Sequence, residues 1–257
     1  MSRKEKCCEF ILQKLVCSNR EKLPPNIQKA INKIAEEEEL QIEAEVPLHE
    51  RFRVVQSYSE SSTEAIILKN VAKEGFATFY RMDVMPLKFA ELAVQQLARF
   101  HGLSFVIQQK RPEYFERKIK TLKQSLKLND DFRAFCRTFF NYSVEGLDSE
   151  LVEGEVTEVI PVDYQLLTYG APITNFLYFI YGATDKEFRR NHLIHLKDIY
   201  FETTDNFPKY FEMDIGSVYS TKEFERDYVE CLGYGLQFML FIFPLVFTLE
   251  SDVPDLG

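Results

Sequence analysis

Residues 160–175 read I-P-V-D-Y-Q-L-L-T-Y-G-A-P-I-T-N: a short apolar strand that ends on an acid, a glycine-proline turn, and the first residues of an aromatic helix. A strand end of this kind can hold one carboxylate beside a bound metal-phosphate. Val162 anchors the backbone in the core and Asp163 emerges where the strand stops, which is where α/β folds place ligand chemistry. Without further partners, Asp163 reads as a strand-terminal acid with no metal.

Working outward, composition bounds the fold. At 257 residues and 46% hydrophobic content the chain can bury one large core or two small ones. Its 23 Phe and 13 Tyr give an aromatic interior, while 10 Gly and 10 Pro are too few for a turn-dense all-β protein, so a mostly helical α+β fold is expected. A net charge of −9 repels phosphate backbones, and no nucleic-acid partner is expected. Cys7, Cys8, Cys17, Cys136 and Cys231 are odd in number and lack zinc spacings, which suits reduced thiols in a cytoplasmic setting. The N-terminal apolar run is broken by Glu9, Gln13 and Lys14, so no signal-peptide core is read. Residues 232–249 approach the roughly 17 to 25 apolar residues of a membrane span. Gln237, Pro244 and acidic flanks make them a core helix and not a span.

Periodicity then divides the chain. Ile27, Ala30, Ile31 and Ile34 follow Pro24-Pro25 at helical spacing and predict an amphipathic surface helix. Glu36 to Glu39 crowd its C-terminal turn, where the macrodipole disfavours acid, and read as a solvated end and not a metal site. Arg51–Ser57 and Glu64–Leu68 predict a hairpin. Helices are predicted from Pro86 to about Gln108, from Pro112, over Asp131–Tyr142, Asn175–Tyr181, Lys186–Thr203 and Lys222–Leu249. Residues 143–158 hold six acids, no base and two glycines, and read as an exposed connection.

Three motifs in one order then point to a family. V-D-Y-Q-L-L-T-Y-G-A-P-I-T-N-F-L-Y-F-I-Y, from Val162, resembles the I-D-F-Q-x-x-x-x-G-x-P-x-x-D-L-x-x-F-x-Y segment of the ecdysteroid kinase-like family, small-molecule kinases related to choline kinase and aminoglycoside phosphotransferases. Residues 87–102, L-K-F-A-E-L-A-V-Q-Q-L-A-R-F-H-G, resemble the family's helix ending L-A-x-F-H-A, and residues 65–76, A-I-I-L-K-N-V-A-K-E-G-F, are similar to its V-L-E-D-L-x-x-x-G-F. Leu23–Val46 resembles the helix preceding the family's nucleotide lobe. The resemblance implies a protein kinase-like fold with a helical C-lobe. It also implies ATP and Mg²⁺ as cofactors and phosphoryl transfer to a hydroxyl of a steroid or xenobiotic small molecule. By that resemblance Asp163 is the Mg²⁺ ligand, and Leu68, Lys69 and Asn70 form the hinge that meets the nucleotide.

The chain also departs from the pattern. The family's H-G-D-x-W-x-x-N loop, which supplies base and metal ligand, has no counterpart: the sole H-G is His101-Gly102, followed by Leu103. No glycine precedes Gly75, so no glycine loop can bring bare amides to phosphates. Lys69 and Asn70 stand where the family carries an acidic pair, and Asn175 replaces the aspartate after G-x-P. The expected division is therefore an N-terminal helical segment 1–46, a remnant of the N-lobe hairpin and hinge over 47–85, and a C-lobe over 86–257 with the connection 143–158. Little turnover is expected, and no catalytic residue is assigned. The alternatives are a non-catalytic binding or scaffold protein, an incomplete sequence without independent function, and a residual enzyme using Asp148 or Glu153. His101 reads as a hydrogen-bonded core residue, and His192, His195 and Asp198 as surface residues of one helix face. Phe176, Tyr178, Phe179 and Tyr181 read as core.

Overall fold

A computed structural model describes residues 6–9, 25–56, 58, 67–78, 85–122, 156–161 and 169–246, with backbone alone for 6–9, 25–32 and 234–246. Three short strands form one sheet in which β1 (Lys6–Glu9) lies between β2 (Phe76–Thr78) and β3 (Val159–Pro161). Both pairings are parallel, with Cys8 opposite Thr78 on one side and Ile160 on the other. The segment 1–46, read as helical, thus contributes the central strand. Four residues are too few for either periodicity to register.

Parallel neighbours require long crossovers, and these are helical. The first contains α1 (Pro25–Glu43), whose leading proline gives up an N–H that has no intrahelical partner anyway. The helix ends in a Schellman closure: Val46 N donates to the Gln41 carbonyl at 3.1 Å and Glu45 N to the Ile42 carbonyl at 3.0 Å. Glu45 takes the left-handed conformation this needs, at φ 52°, a place where glycine is the unstrained choice. Val46, one residue on, is buried.

The solvated-end reading of Glu36 to Glu39 is corrected. α1 runs on through Glu43, Glu37 is buried against Lys33, and Arg111 gathers Glu36, Glu39 and Glu43. A cation distant in sequence offsets the repulsion among these acids. α1 does bury a single face, as the spacing predicts, but Lys33, Glu37 and Gln41 share that face with Ile34 and Leu40.

The second crossover contains α2 (Leu87–Lys110), the centre of the core, with Phe89, Ala90, Val94, Ala98, Leu103, Val106 and Ile107 buried. A short helix α3 (Pro112–Tyr114) widens into a π turn, Phe115–Ile119, and buries Phe115, Ile119 and Leu122. The predicted helix over Asp131–Tyr142, and 143–155 of the acidic connection, lie outside the described residues.

Beyond β3, α4 (Ile173–Ala183) packs on α6 (Thr221–Val246), and α5 (Lys186–Asn206) packs on α2. The starts of α5 and α6 are specified locally. Asp185 Oδ1 accepts from Phe188 N at 2.7 Å, and Ser220 with Glu223 forms a capping box in which Ser220 N donates to Glu223 Oε2 at 2.8 Å. Gly102 lets α2 approach the 3₁₀ turn Phe207–Phe211, because a Cβ there would stand 3.2 Å from Phe207 Cδ1. Of the aromatic stripe, Phe176 is buried with its ring 5.3 Å from Tyr200, while Phe179 and Tyr181 pack against the same core. Among the described residues no helix is long and apolar enough to cross a membrane.

Candidate functional site

Two of the three sequence motifs and the strand that precedes the third converge, and the pieces that join them are two buried glutamines and one arginine. Gln41 of α1 treats the backbone of Phe52 as a strand would: its Oε1 accepts from Phe52 N at 2.6 Å and its Nε2 donates to the Phe52 carbonyl at 3.4 Å. Gln96 of α2 accepts from Arg53 N at 3.0 Å. The Arg53 side chain then reaches Glu158, just before β3, at 2.9 Å. One extended segment is thereby tied to α1, to the helix α2 that carries F-H-G and to the strand leading toward Asp163. Val55, Phe76 and Ile160, with Val71 against them, form a small apolar cluster at the same junction.

The hinge follows from pairing across the predicted hairpin. Tyr58 N donates to the Ile67 carbonyl at 2.9 Å and Lys69 N to the Gln56 carbonyl at 2.8 Å, an antiparallel register. Asn70 then caps a 3₁₀ turn, Val71–Glu74, its Oδ1 accepting from Ala72 N at 3.1 Å. Gly75 closes that turn at φ 88° and releases the chain into β2. Asn at the cap and Gly at the closure each occupy the position their chemistry suits.

These contacts decide how the expected hinge residues fit a nucleotide. The backbone N–H of Lys69 is already given to Gln56, its ammonium is paired with Glu74, and the Asn70 side chain is committed to its own turn. Leu68 is exposed and brings an apolar side chain. Of the groups the hinge could offer a nucleotide, the Lys69 N–H, its ammonium and the Asn70 side-chain oxygen are thus taken up by bonds within the chain. Asp163 lies outside the described residues; β3, two residues before it, is an outer strand whose carboxyl end points the same way as those of β1 and β2. Asp148 and Glu153 also lie outside them. Among the described residues no group of three His, Cys, Asp or Glu could hold a metal ion. Asn175 contributes to the start of α4 through its backbone, donating to the Pro172 carbonyl at 3.2 Å.

Behind the junction sits a polar group in an apolar setting. His101 is buried, its Nδ1 sharing a 2.6 Å hydrogen bond with the Tyr200 hydroxyl. Burial, and secondarily the Lys33 ammonium, push its pKa down to about 3, so the imidazole is neutral at pH 7. Lys33 stands 3.8 Å from the centroid of the Phe100 ring and pairs with Glu37. Desolvation pulls the Lys33 ammonium below its ordinary value and pushes the Glu37 carboxyl above its own, each partly opposed by the other. His101 is thus a core residue, as its place on an apolar helix face predicts. His195 Nε2 meets Glu91 Oε1 at 2.8 Å on the surface, and His192 packs its ring 4.9 Å from Phe188.

Sequence reasoning missed Arg53 and Gln41, whose roles depend on partners far along the chain. Gln96 was visible as a polar residue recurring on the apolar face of α2, a signal that its amide is buried and bonded.

Comparison with known proteins agrees with the geometry. The sequence profile of the ecdysteroid kinase-like family matches residues 26–153 and 147–210, which together span more than half of the chain. No curated protein and no solved structure matches it. The match takes in the helix α1, the hinge, the F-H-G helix and the strand leading to Asp163, and the chain belongs to the ecdysteroid kinase-like family.

Proposed function

We propose that this kinase-like chain derives from an ATP- and Mg²⁺-dependent enzyme that phosphorylates a hydroxyl on a steroid or xenobiotic small molecule, and that this form transfers phosphate slowly or not at all. The observation carrying the reading is the division of the family match into two segments that meet at 147–153. That junction falls in the acidic run 143–158, where the H-G-D-x-W-x-x-N loop is expected and absent. Positioning of reactants alone can supply about 7 to 11 kcal/mol of a catalysed barrier, and a loop that holds both base and metal ligand is a large part of that positioning. The committed bonds of Lys69 and Asn70 support the same conclusion for the nucleotide. We divide the chain into segment 1–46, an incomplete N-lobe over 47–85 and a C-lobe over 86–257, working in the cytoplasm.

The divided match also favours a second reading, in which a segment between Tyr142 and Val159 is missing from this sequence. One experiment addresses both. Phosphate transfer from labelled ATP to ecdysteroid and xenobiotic alcohols is measured for this chain, for Asp163→Ala, and for a chain carrying an H-G-D-x-W-x-x-N segment in that interval. The expected result is background transfer for the first two and activity restored in the third. Transfer by the unaltered chain that Asp163→Ala abolishes would overturn the proposed loss.

A further inference from the structure

On the side of α2 facing α5 the two helices part to leave a half-open cavity of about 210 Å³. Gln95 and Arg99 line it one turn apart on α2, Glu202 and Thr203 on α5, together with Phe207 and Glu50. The spacing is that of two helix faces turned toward each other, so the lining belongs to the fold and not to a loop. Pockets for drug-sized ligands run from roughly 300 to 1,000 Å³, so a steroid is too large for this space.

Its charges are unequal in their commitments. Glu50 accepts from the Tyr210 hydroxyl at 2.8 Å and has His49 Nε2 3.4 Å away. Arg99 feels Glu50 and Tyr210 through charge, without a hydrogen bond to either. Burial pulls the guanidinium's pKa down from its ordinary value, the mark of a cation separated from water. A guanidinium presents a planar fork of donors that matches a carboxylate, and desolvation strengthens that match. A bare anion would also face two glutamates, Glu50 and the exposed Glu202, against a single arginine. A ligand carrying its own cation answers both signs.

We propose that this groove binds a small zwitterion of the amino-acid class, its carboxylate on Arg99 and its ammonium toward Glu202, with Gln95 and Thr203 offering further hydrogen bonds. The site shares no lining residue with β3 or the hinge, and the proposal stands independently of any phosphoryl transfer.

The test is calorimetric titration of the full chain with glycine, β-alanine, taurine, acetate, methylammonium and inorganic phosphate at millimolar concentrations. Expected is saturable binding of at least one zwitterion, with acetate, methylammonium and phosphate each at least tenfold weaker. Arg99→Lys should weaken the zwitterion tenfold or more, since an ammonium cannot reproduce the bidentate fork. Glu202→Gln, an exposed helix position where the fold is not at risk, should erase the preference for the zwitterion over acetate. The proposal fails if no zwitterion binds, if phosphate or acetate binds as tightly, or if Glu202→Gln leaves the preference unchanged in a chain with wild-type circular dichroism.

Discussion

Replacing Lys33 and Glu37 one at a time and then together probes the point where α1 meets the core. Both side chains are removed from water, at 3% and 0% exposure. Lys33→Met leaves a buried carboxylate without its cation and also removes the contact with the Phe100 ring. Glu37→Leu leaves a buried ammonium. Breaking a buried pair from one side costs about 3 to 5 kcal/mol, whereas replacing both partners by apolar groups is neutral or stabilising by about 1 to 4 kcal/mol. The apolar pair gains here for a further reason: Glu37 Oε2 has no hydrogen-bond partner among the described residues, a deficit of about 1 to 3 kcal/mol that Leu removes. At roughly 2 to 4 °C per kcal/mol for a chain of this size, each single variant should melt about 6 to 20 °C lower, and the double variant at or above wild type.

The pH dependence follows from the two shifts. Glu37, raised by desolvation, contributes stability that is complete below 4.5 and is lost as pH rises through its folded pKa. Lys33, lowered by desolvation, contributes stability that is complete above 10.5 and is lost as pH falls through its folded pKa. The pair is costliest between those two folded values, so the double variant's advantage should peak there and narrow toward acid. Melting followed by circular dichroism from acid to neutral pH reads all of this. A Lys33→Met variant that melts with wild type, or a double variant that loses the sum of the singles, would refute the burial of this pair.

Other perturbations test the joints around it. His101, depressed to about 3 from 6.5, contributes stability that is complete above 6.5 and declines as pH falls toward 3, by about 1.4 kcal/mol per pH unit; urea midpoints of His101→Gln should lose that slope, and an unchanged slope would place it elsewhere. Gln96→Leu strands the Arg53 N–H and should cost about 1 to 3 kcal/mol, with faster amide exchange at Arg53. Glu45→Gly relieves a left-handed residue in the α1 closure and should stabilise by about 0.5 to 1 kcal/mol in urea titrations. Arg111→Ala releases Glu36, Glu39 and Glu43, of which Glu43 stands in the last turn, where an acid is disfavoured by about 0.3 to 1 kcal/mol, so exchange should quicken at Ala44 and Val46 and added salt should reduce the difference.

What the sequence disclosed depended on whether the determinant was local. The boundaries of α2, α4, α5 and α6 follow from apolar spacing and from caps a few residues long, such as Asp185 before Phe188 and Ser220 with Glu223, and periodicity or turn chemistry reads such features directly. β1 escaped because a strand in the middle of a parallel sheet is defined by neighbours at Phe76 and Val159, which sequence spacing does not reveal. The acids of α1 were misread for the same reason, their cation being Arg111. At the hinge, the sequence flagged Lys69 and Asn70 as departures from the family's acidic pair but could not show that both are bound to neighbours.

That last point bears on how the site lost its charge. A hinge meets a nucleotide with backbone groups left over after folding, so an extra local bond is a lost ligand contact. Asn70, replacing an acid, provides the cap that holds the 3₁₀ turn; Lys69, replacing another, finds Glu74 across that turn. Each of these side chains therefore serves the local structure of the segment. The framework behind it, Gln41 and Gln96 on the segment 52–53 and Arg53 on Glu158, is built of bonds between residues of the chain itself. The family's scaffold can therefore persist here on its own packing and hydrogen bonds, whatever becomes of the chemistry at the end of β3.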